Sequence, residues 1–361
     1  MGERRVVVLA DVSSWEAWLY LAGALRANGF DAVRHTVRPE SGSQRIRVAL
    51  ERPVFSKTYE DLVMRHGHVD VSSVLPWLGR IQDIQMVDIV GDAITATDAW
   101  AQHPALHRVG RAGMNDTDVY DKLRYSQLAQ SVGVPVPEMK QVAAALPEGA
   151  WVLKGRVGSG GERVTLVSDQ NDVSVALRTW GIAAGDAFLQ ACVGGEAWNV
   201  GGVAYRGEVL VSAAFRAMPA DDDPNGPPVQ IRIEHQPEQL AATAALVDAL
   251  GYSGPFCADF LDDGTPFLLD FNPRFFGSWA ALQSAGVDVL GAYLWTLGRP
   301  WSGPSDVALG VSIPASVGGA RGLRNSWRRG RDVASRLGPT VGKRASAFIL
   351  VDGLAQGLPR G

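Results

Sequence analysis

Apolar and polar positions alternate along the first third of the chain as they do in open α/β folds. Residues 6–10 form a short, continuous apolar run that is typical of a buried parallel strand, and residues 15–28 then have helical spacing that ends at Gly29. Further apolar runs at residues 71–75 and 86–90 continue the alternation. The pattern therefore predicts a small open α/β domain.

The pattern changes after residue 118, where glycine turns separate short strand-forming runs. A helix is predicted over residues 120–132, and the Val-Pro-Val-Pro sequence after Gly133 forces an extended segment. The strand-forming runs are residues 151–154, 163–167, 187–192, 197–205 and 208–215. Residues 239–250 return to helical spacing. A second, strand-rich domain is therefore predicted.

Two later segments have compositions that are compatible with more than one role. Three consecutive aspartates at residues 221–223, among the prolines of residues 220–229, favour an exposed irregular loop, either a solvated turn or a lid over a neighbouring site. Arginines are concentrated in residues 321–336 of the tail. They are compatible with an acidic partner and equally with helical ion pairs.

Composition narrows the classes of function. The 361 residues include 34 basic and 38 acidic side chains, a formal net charge of -4, so the chain has no overall attraction for nucleic acid. Two cysteines are too few for a disulfide framework. Acidic residues follow the first apolar run too soon for a signal peptide, and no apolar run reaches the roughly 20 residues of a membrane span. We therefore expect a cytoplasmic enzyme with neither nucleic acid nor membrane as a partner.

A glycine-rich turn follows the short apolar strand that ends in Lys154. The turn contains Gly158, Ser159, Gly160 and Gly161. Glycines let backbone N–H groups approach phosphate oxygens, and a neighbouring ammonium adds a positive charge. The spacing is not that of a Walker A motif, and no dinucleotide fingerprint follows the first strand. A phosphate-binding hairpin and a purely structural turn are both compatible with this pattern.

The Asp-Gly pair at residues 263–264 lies between two strand-forming runs and predicts a β-hairpin. If these are the two loop residues, Asp259 lies opposite Leu268. Alternation along the strands then places Asp259, Asp270 and Asn272 on one face. The opposite, apolar face is predicted to hold Phe256, Ala258, Phe260, Phe267, Leu269 and Phe271.

The polar face of this hairpin predicts a cation site. Uncompensated carboxylates this close raise the pKa of each other, and a hard cation would neutralise them, with magnesium fitting best. The alternative is a solvent-exposed strand face that carries two aspartates. Arg274, two residues after Asn272, offers a two-pronged donor for a phosphate or carboxylate and favours a binding site. The expected metal ligands are Asp259, Asp270 and Asn272.

These residues, in this order and spacing, resemble the ATP-grasp superfamily. The matching positions are Lys122, Lys154 before Gly-Ser-Gly-Gly, residues 190–196, Asp259 and residues 270–274. The resemblance covers roughly residues 118–298. It implies a fold that combines α/β and α+β parts: an N-terminal open α/β domain followed by a two-lobed ATP-grasp fold. The implied divisions are a pre-ATP-grasp domain at residues 1–113, a first lobe at 114–192, a second lobe at 193–300 and a C-terminal extension at 301–361.

The resemblance also implies a role for each matched residue. Lys122 and Lys154 would contact the phosphates of ATP, and the backbone of residues 190–193 would contact adenine. Glu196 matches a ribose-binding glutamate, although the usual spacing there is one residue longer. The full set of implied ATP-binding residues is Lys122, Lys154, Gly158, Ser159, Gly160, Gly161, Gln190, Ala191, Cys192, Val193 and Glu196.

The activity implied by the resemblance is that of an ATP-dependent carboxylate-amine ligase. A carboxylate would attack the γ-phosphate, and an amine would open the acyl phosphate to an amide or peptide bond, releasing ADP and phosphate. Arg274 would stabilise the transferring group, and Arg232 would assist unless it is a surface charge. The cofactors are ATP and Mg²⁺, with Mn²⁺ as a substitute, and a homodimer is compatible. The alternatives are an ATP-grasp kinase or carboxylase-like enzyme, or a nucleotide-binding module without catalysis.

Overall fold

Strands in the described part of the chain form three β-sheets. The computed structural model describes residues 4–10, 16–39, 42–65, 68–70, 84–90, 119–143, 145–158, 163–218, 230–304, 307, 309–310 and 312–314. The strand predicted at residues 71–75, the loop at 220–229 and the arginine-rich tail lie outside these residues. Among the helices that are described, none combines the length and apolar character needed to cross a membrane.

The first sheet is mostly parallel and lies at the start of the chain. Its strands are β1 Arg4–Ala10, β2 Asp31–Val37, β3 Lys57–Arg65, β4 His68–Asp70 and β5 Ile84–Val90. They lie in the order β4-β3-β2-β1-β5, with β4 antiparallel to β3 and the other neighbours parallel. The helices of this region are α1 Glu16–Ala27 and α2 Gly42–Glu51. The open α/β prediction is confirmed.

The second sheet is small, antiparallel and has a core of its own. Its strands are β6 Met139–Gln141, β7 Trp151–Gly155, β8 Val164–Val167 and β9 Ala187–Ala191. They lie in the order β6-β9-β7-β8. Helix α4, Gln170–Trp180, covers one face and packs Val173 against Leu153 and Leu189 of the sheet. Gly181, with φ +64°, ends α4 in the left-handed conformation that glycine adopts readily.

The third sheet is the largest, and helices cover both of its faces. Its strands are β10 Glu196–Tyr205, β11 Glu208–Met218, β12 Gln230–Glu234, β13 Gly254–Asp262, β14 Pro266–Asn272 and β15 Ser312–Pro314. They lie in the antiparallel order β14-β13-β10-β11-β12-β15. One face is covered by α3 Lys122–Ser131 and α5 Pro237–Ala249. The other face is covered by α6 Trp279–Ser284 and α7 Val289–Thr296.

The first sheet joins the third through a continuous apolar core. Trp18 of α1 lies edge-on to Phe275, with ring centroids 6.4 Å apart. Phe30 is held between two guanidinium groups, those of Arg5 at 4.7 Å and Arg299 at 5.1 Å from its ring centroid. Because α6 and α7 share this core with α1, the N-terminal domain is packed directly against the third sheet.

The turn between β13 and β14 differs from the prediction. Asp262 pairs with Pro266, so the loop has three residues instead of two, and the predicted register is wrong by one residue here. The carboxylate of Asp262 accepts the N–H of Gly264 at 2.8 Å, which stabilises the longer loop, and Gly264 has φ +109°. A bulge then shifts the pairing once more, so that Asp259 lies directly opposite Asp270.

The faces of the hairpin follow from this register. Directly paired residues of an antiparallel sheet point to the same side, so Asp259, Asp270 and Asn272 share a face, as predicted. Phe267 was predicted on the opposite, apolar face, and that prediction is wrong, because the three-residue loop turns Phe267 to the face of Asp259. Leu268 takes its place in the core, where it is 1% exposed.

Candidate functional site

Asp270 lies at the centre of a cluster of polar side chains on the edge strand β14. Lys122, the first residue of α3, forms an ion pair with its Oδ2, and Tyr125, one turn later, donates a hydrogen bond to its Oδ1. The backbone N–H of Phe271 also donates to Oδ1, at 3.0 Å. Burial alone would raise the pKa of Asp270, but the ammonium of Lys122 and these donors bring it below its ordinary value. Asp270 is therefore a carboxylate with its charge already compensated.

The position of Lys122 is fixed by the N-terminal cap of α3. The carboxylate of Asp121 accepts the N–H groups of Leu123 and Arg124 at 3.1 and 3.3 Å. Arg156, at the end of β7, donates to the same carboxylate through Nε and Nη2. The N–H of Lys122 donates to the carbonyl of Arg156 at 2.8 Å. This clasp ties α3, which packs on the third sheet, to the second sheet.

Asp259 is the second carboxylate of the cluster, and it has different partners. Its Oδ1 accepts the amide of Asn199 at 2.7 Å, and its Oδ2 accepts the amide of Asn272 at 3.3 Å. Both of these partners are neutral. Burial, followed by the negative charge of Asp270, raises the pKa of Asp259 to about 6. A bound cation would therefore stabilise the charged form of Asp259.

Lys154 reaches across from the second sheet to the third. Its Nζ donates to the carbonyl of Leu269, the bulged residue of β14, at 2.9 Å. Burial lowers the pKa of Lys154 to about 8; the negative charge of Asp270 opposes this shift, and the positive charge of Lys122 adds to it. A phosphate group is the kind of anion that would stabilise two neighbouring ammonium groups.

The oxygen donors of the cluster fit a hard divalent cation. Asp259, Asp270 and Asn272 supply two carboxylates and one amide on a single face. Among the described residues, the carboxylate of Asp259 has no cationic hydrogen-bond partner. In the part of the chain that the structure describes, no three His, Cys, Asp or Glu side chains form a metal-binding group. The two carboxylates would therefore need Asn272, and a bound ligand such as phosphate, to complete the coordination of a magnesium ion. Magnesium is commonly bound in this way, by one or two carboxylates together with phosphate oxygens.

A cleft with an empty volume of about 310 Å³ opens beside these ligands. Its lining residues are Tyr120, Lys122, Gly158, Phe271, Asn272, Pro273 and Arg274. Arg274 donates to the carbonyl of Phe275 at 3.0 Å and to Oδ1 of Asn272 at 3.3 Å. The structure thus brings Arg274 into the same cleft as Lys122 and Gly158. Ser159, Gly160 and Gly161 lie outside the described residues.

The face of the second sheet that carries Lys154 is apolar further along. Strand pairing places Val152, Leu166 and Gln190 side by side on this face. Leu166 is 71% exposed, although leucine favours burial. Gln190 is 2% exposed, and within the described part of the chain its amide nitrogen has no hydrogen-bond partner. A buried amide without a partner costs about 1–3 kcal/mol, so this face offers a place for a ligand with a hydrogen-bond acceptor.

A second apolar group lies on the third sheet, on the face of Asp259. Leu261 and Phe267 pair across β13 and β14, two positions along β13 from Asp259. The hydrogen bond from Lys154 to Leu269 joins the second and third sheets beside these two faces. We call the charged groups around Asp270 the charged end of the site, and the apolar residues Leu166, Leu261 and Phe267 its apolar end.

Two residues named in the sequence analysis lie away from this cleft. Strand pairing places Arg232 on the face of the third sheet opposite Asp259, where it forms an ion pair with Glu234 at 3.2 Å. Glu196 lies on that opposite face too and forms an ion pair with Arg216 at 3.1 Å. The structure does not bring either side chain to the proposed metal ligands. Their catalytic and ribose-binding roles stay predictions.

The adenine-binding segment predicted from sequence forms the end of β9 and the chain beyond it. Ala191 pairs with Trp151 and belongs to the core side of the second sheet, whereas Gln190 faces the cleft. Cys192 is exposed, and its N–H donates to the carbonyl of Ala150 at 2.9 Å. Val193 is half-buried directly after it.

Several residues in and around the cleft were not predicted from the sequence. Tyr125, Asn199 and Arg156 contact the predicted ligands or hold them in place, but each does so from a distant part of the chain. Leu166 and Phe267 line the apolar end. An apolar residue on the exposed side of an edge strand was the available signal for Leu166, and it is a weak one because single exposed leucines are common.

Comparison with known families identifies the region that contains this cleft. A family model described as an ATP-grasp domain matches residues 119–278. Residues 119–278 form an ATP-grasp domain. The matched range contains Lys122, Lys154, Asp259, Asp270 and Arg274. A comparison with curated protein sequences gave no match.

Solved structures share the fold of the ATP-grasp domain and of the sheet that precedes it. Pyruvate carboxylase from Rhizobium etli has a TM-score of 0.60 at 17% identity; the likeness covers 83% of this chain, which spans 28% of the length of that carboxylase. The L-amino acid ligase from Bacillus licheniformis has a TM-score of 0.55 at 13% identity, covering 81% of this chain and 74% of the ligase. D-alanine–D-alanine ligase from Bacillus anthracis, in complex with ATP, has a TM-score of 0.53 at 14% identity, covering 81% and 97%.

These likenesses are too distant in sequence to carry a substrate from one protein to another. They establish the fold, an α+β ATP-grasp arrangement preceded by an α/β sheet, which the sequence analysis predicted. Carboxylases and ligases both occur among them, so the chemistry of this ATP-grasp domain has to be argued from its cleft.

Proposed function

We propose that the protein is an ATP- and magnesium-dependent ligase that joins a carboxylic acid to an amine through an acyl phosphate. One observation carries the proposal: the cations of Lys122, Lys154 and Arg274 surround the oxygen ligands of Asp259, Asp270 and Asn272 at one end of a cleft in an ATP-grasp domain. This arrangement supplies the charge neutralisation on which phosphoryl transfer depends.

The apolar end of the cleft would hold the adenine ring. Leu166 on one sheet and Leu261 and Phe267 on the other present apolar surface to the space between them. The buried amide of Gln190 would donate to a ring nitrogen, which would satisfy an atom that is otherwise unpartnered among the described residues. The phosphates would then extend from the apolar end towards the charged end.

At the charged end, Lys122 and Lys154 would bind the phosphates. Lys154 would exchange the carbonyl of Leu269 for a phosphate oxygen, and Lys122 would exchange Oδ2 of Asp270 for another. Magnesium bound by Asp259, Asp270 and Asn272 would neutralise charge on the phosphates and draw electrons from the phosphorus. The departure of Lys122 leaves Oδ2 of Asp270 available, so phosphate binding and cation binding are linked.

Arg274 would stabilise the charge that moves during the reaction. An oxygen of the substrate carboxylate forms a bond to the γ-phosphorus, and ADP leaves. The nitrogen of the amine then forms a bond to the acyl carbon, phosphate leaves, and the amine gives up a proton. The guanidinium of Arg274 lines the cleft beside Asn272 and would donate first to the transferring phosphoryl group and then to the oxygen of the tetrahedral intermediate.

The proposal is tested with the purified protein, ATP, magnesium and amino acids offered singly and in pairs. Mass spectrometry distinguishes an amide with ADP, which supports a ligase, from a phosphorylated product, which supports a kinase. Hydroxylamine in place of the amine should trap the acyl phosphate as a hydroxamate. Transfer of ¹⁸O from a labelled carboxylate into phosphate should accompany turnover, and its absence in an active enzyme would exclude carboxylate activation.

Variants locate the chemistry in the proposed cleft. Asp270→Asn combined with Asn272→Ala should abolish turnover and keep the fold, because the pair binds the cation and contributes little to the apolar core. Lys154→Ala should raise the Michaelis constant for ATP. Asp248→Asn, on the exposed side of α5, is the matched control and should retain activity. Full activity in the double variant would remove the metal site from the proposal.

A further inference from the structure

Tyr125 is a buried tyrosine whose hydroxyl contacts both a proposed metal ligand and the backbone next to it. The hydroxyl donates to Oδ1 of Asp270 and accepts the N–H of Phe271 at 3.0 Å. Tyr125 is 1% exposed, and its ring lies edge-on to that of Phe271, with centroids 6.1 Å apart. The proposed steps of the reaction leave this hydroxyl without a role.

The two oxygens of Asp270 have partners of different kinds. Oδ1 accepts from the hydroxyl of Tyr125 and from the N–H of Phe271, and both donors are fixed in the core of the third sheet. Oδ2 is paired with Lys122, whose ammonium is carried on a flexible four-carbon chain. The ammonium can move to a phosphate, whereas the packed ring of Tyr125 has no such freedom.

We propose that Tyr125 is a positioning residue, which holds Oδ1 of Asp270 so that Oδ2 is presented to magnesium when Lys122 leaves. This inference rests on the proposed binding of ATP and magnesium. A partner that orients a metal-ligating carboxylate from outside the metal's own ligands raises metal affinity, and its loss costs about 10–100-fold. Tyr125 lies three residues after Lys122 on α3, so a single helix supplies both of these partners of Asp270.

A purely structural role for Tyr125 predicts a different outcome, and Tyr252 offers the matched control. Tyr252 is 2% exposed, and its ring lies edge-on to the same Phe271, with centroids 5.6 Å apart. Its hydroxyl donates to the carbonyl of Pro255 at 2.7 Å, away from Asp270. Removing the hydroxyl of Tyr125 deletes its bond to Asp270 and the bond that it accepts from the N–H of Phe271. Removing the hydroxyl of Tyr252 deletes a buried bond in the same aromatic cluster that does not lead to Asp270.

The experiment compares the wild-type protein with Tyr125→Phe and Tyr252→Phe. Mn²⁺ affinity is measured by electron paramagnetic resonance in the presence of a non-hydrolysable ATP analogue, and the thermal midpoint of each protein is measured without ligands. Tyr125→Phe should weaken Mn²⁺ binding by about tenfold or more, and Tyr252→Phe should leave it within twofold. Tyr125→Phe should fold, because the N–H of Phe271 still donates to Oδ1 of Asp270 when the hydroxyl is absent.

The outcomes separate this inference from the proposed function. If Tyr125→Phe binds Mn²⁺ as the wild type does, or if both variants lose affinity equally, the positioning role is overturned while the ATP-dependent function stands. If the wild-type protein binds neither the analogue nor Mn²⁺, the proposed function fails first, and that result needs no variant. Weaker Mn²⁺ binding confined to Tyr125→Phe supports the inference.

Discussion

The buried Lys154 and the half-buried Asp259 have pKa values that removal from water has moved towards each other. Burial lowers the pKa of Lys154 from its ordinary value of 10.5 to about 8. Burial, with the charge of Asp270, raises the pKa of Asp259 from 3.8 to about 6. Lys154 favours the folded state as a neutral amine, and that contribution is lost as the pH falls through 8 and the amine gains a proton. Asp259 favours the folded state as a neutral acid, and that contribution is lost as the pH rises through 6 and the acid loses its proton. Between these values both groups are charged and lack the counter-ions that ATP and magnesium would supply.

Binding of the magnesium complex of an ATP analogue should therefore be tightest between about pH 6 and pH 8. Above this range Lys154 loses its proton, and below it Asp259 gains one, so the affinity should fall by up to about tenfold per pH unit on either side. Calorimetric titration across the pH range measures both limbs. Lys154→Met should flatten the alkaline limb, and Asp259→Asn the acidic one. A profile that keeps both limbs in these variants would assign the titration to the nucleotide alone.

At the scale of single elements, the alternation of polar and apolar residues was a better guide to the strands than the sequence was to the length of the loop between them. The strands predicted within the described residues, and the helices ending at Gly29 and Gly133, are present because apolar spacing and glycine act locally. The loop after β13 was predicted one residue too short, because the hydrogen bond from Gly264 to Asp262 competes with a tight turn and sequence alone does not rank the two. Helices α6 and α7 were not predicted, since they are buried and lack a polar face to reveal helical spacing.

The same limit applies to the candidate site. The shared face of Asp259, Asp270 and Asn272 was predictable because these residues lie close together in the chain and follow the alternation of two strands. Tyr125 meets Asp270 across 145 residues of sequence, and Asn199 meets Asp259 across 60. Contacts of this kind depend on how helices and sheets pack, which a local pattern does not contain.

The observed register makes a testable distinction between neighbouring residues of β14. Leu268 is in the core, so Leu268→Ala should destabilise the protein by about 2–5 kcal/mol. Phe267 faces the cleft, so Phe267→Ala should cost less stability and should weaken binding of the ATP analogue. Thermal midpoints and calorimetric affinities of the two variants provide the comparison. The reverse order of effects would favour the two-residue loop over the three-residue loop.

At the scale of the whole molecule, the arrangement of apolar cores indicates which part moves. The first and third sheets share one continuous core, to which Trp18 and Phe275 belong. The second sheet has a separate core with α4. It meets the third sheet through polar contacts, among them the clasp of Asp121 with Arg156 and the bond from Lys154 to Leu269, and through Met139 of β6, which packs against the core of the third sheet. Because most of its apolar residues belong to its own core, we expect the second sheet to be the part that closes over a ligand.

Hydrogen exchange with and without ligand should reveal this division. Magnesium and a non-hydrolysable ATP analogue at about 100 times the dissociation constant stabilise the bound form by about 2.7 kcal/mol, which slows exchange through local opening by up to about a hundredfold. We expect this protection in β7, β9 and the first turn of α3, and little change in β1 and β2. Mass spectrometry of peptic peptides measures it. Equal protection in the first sheet would show that the two cores open together.

The two irregularities of the β13 and β14 hairpin restrict how its length can evolve. The three-residue loop offsets the pairing by one residue, and the bulge at Leu269 offsets it by one more. The side of the sheet to which a residue points depends on whether the total offset is odd or even, so the two shifts cancel for Asp270 and Asn272. A single insertion or deletion in either place would turn both side chains out of the cleft. Changes in this hairpin are therefore compatible with the proposed metal site only in compensating pairs, so the loop and the bulge are expected to be gained or lost together among related chains.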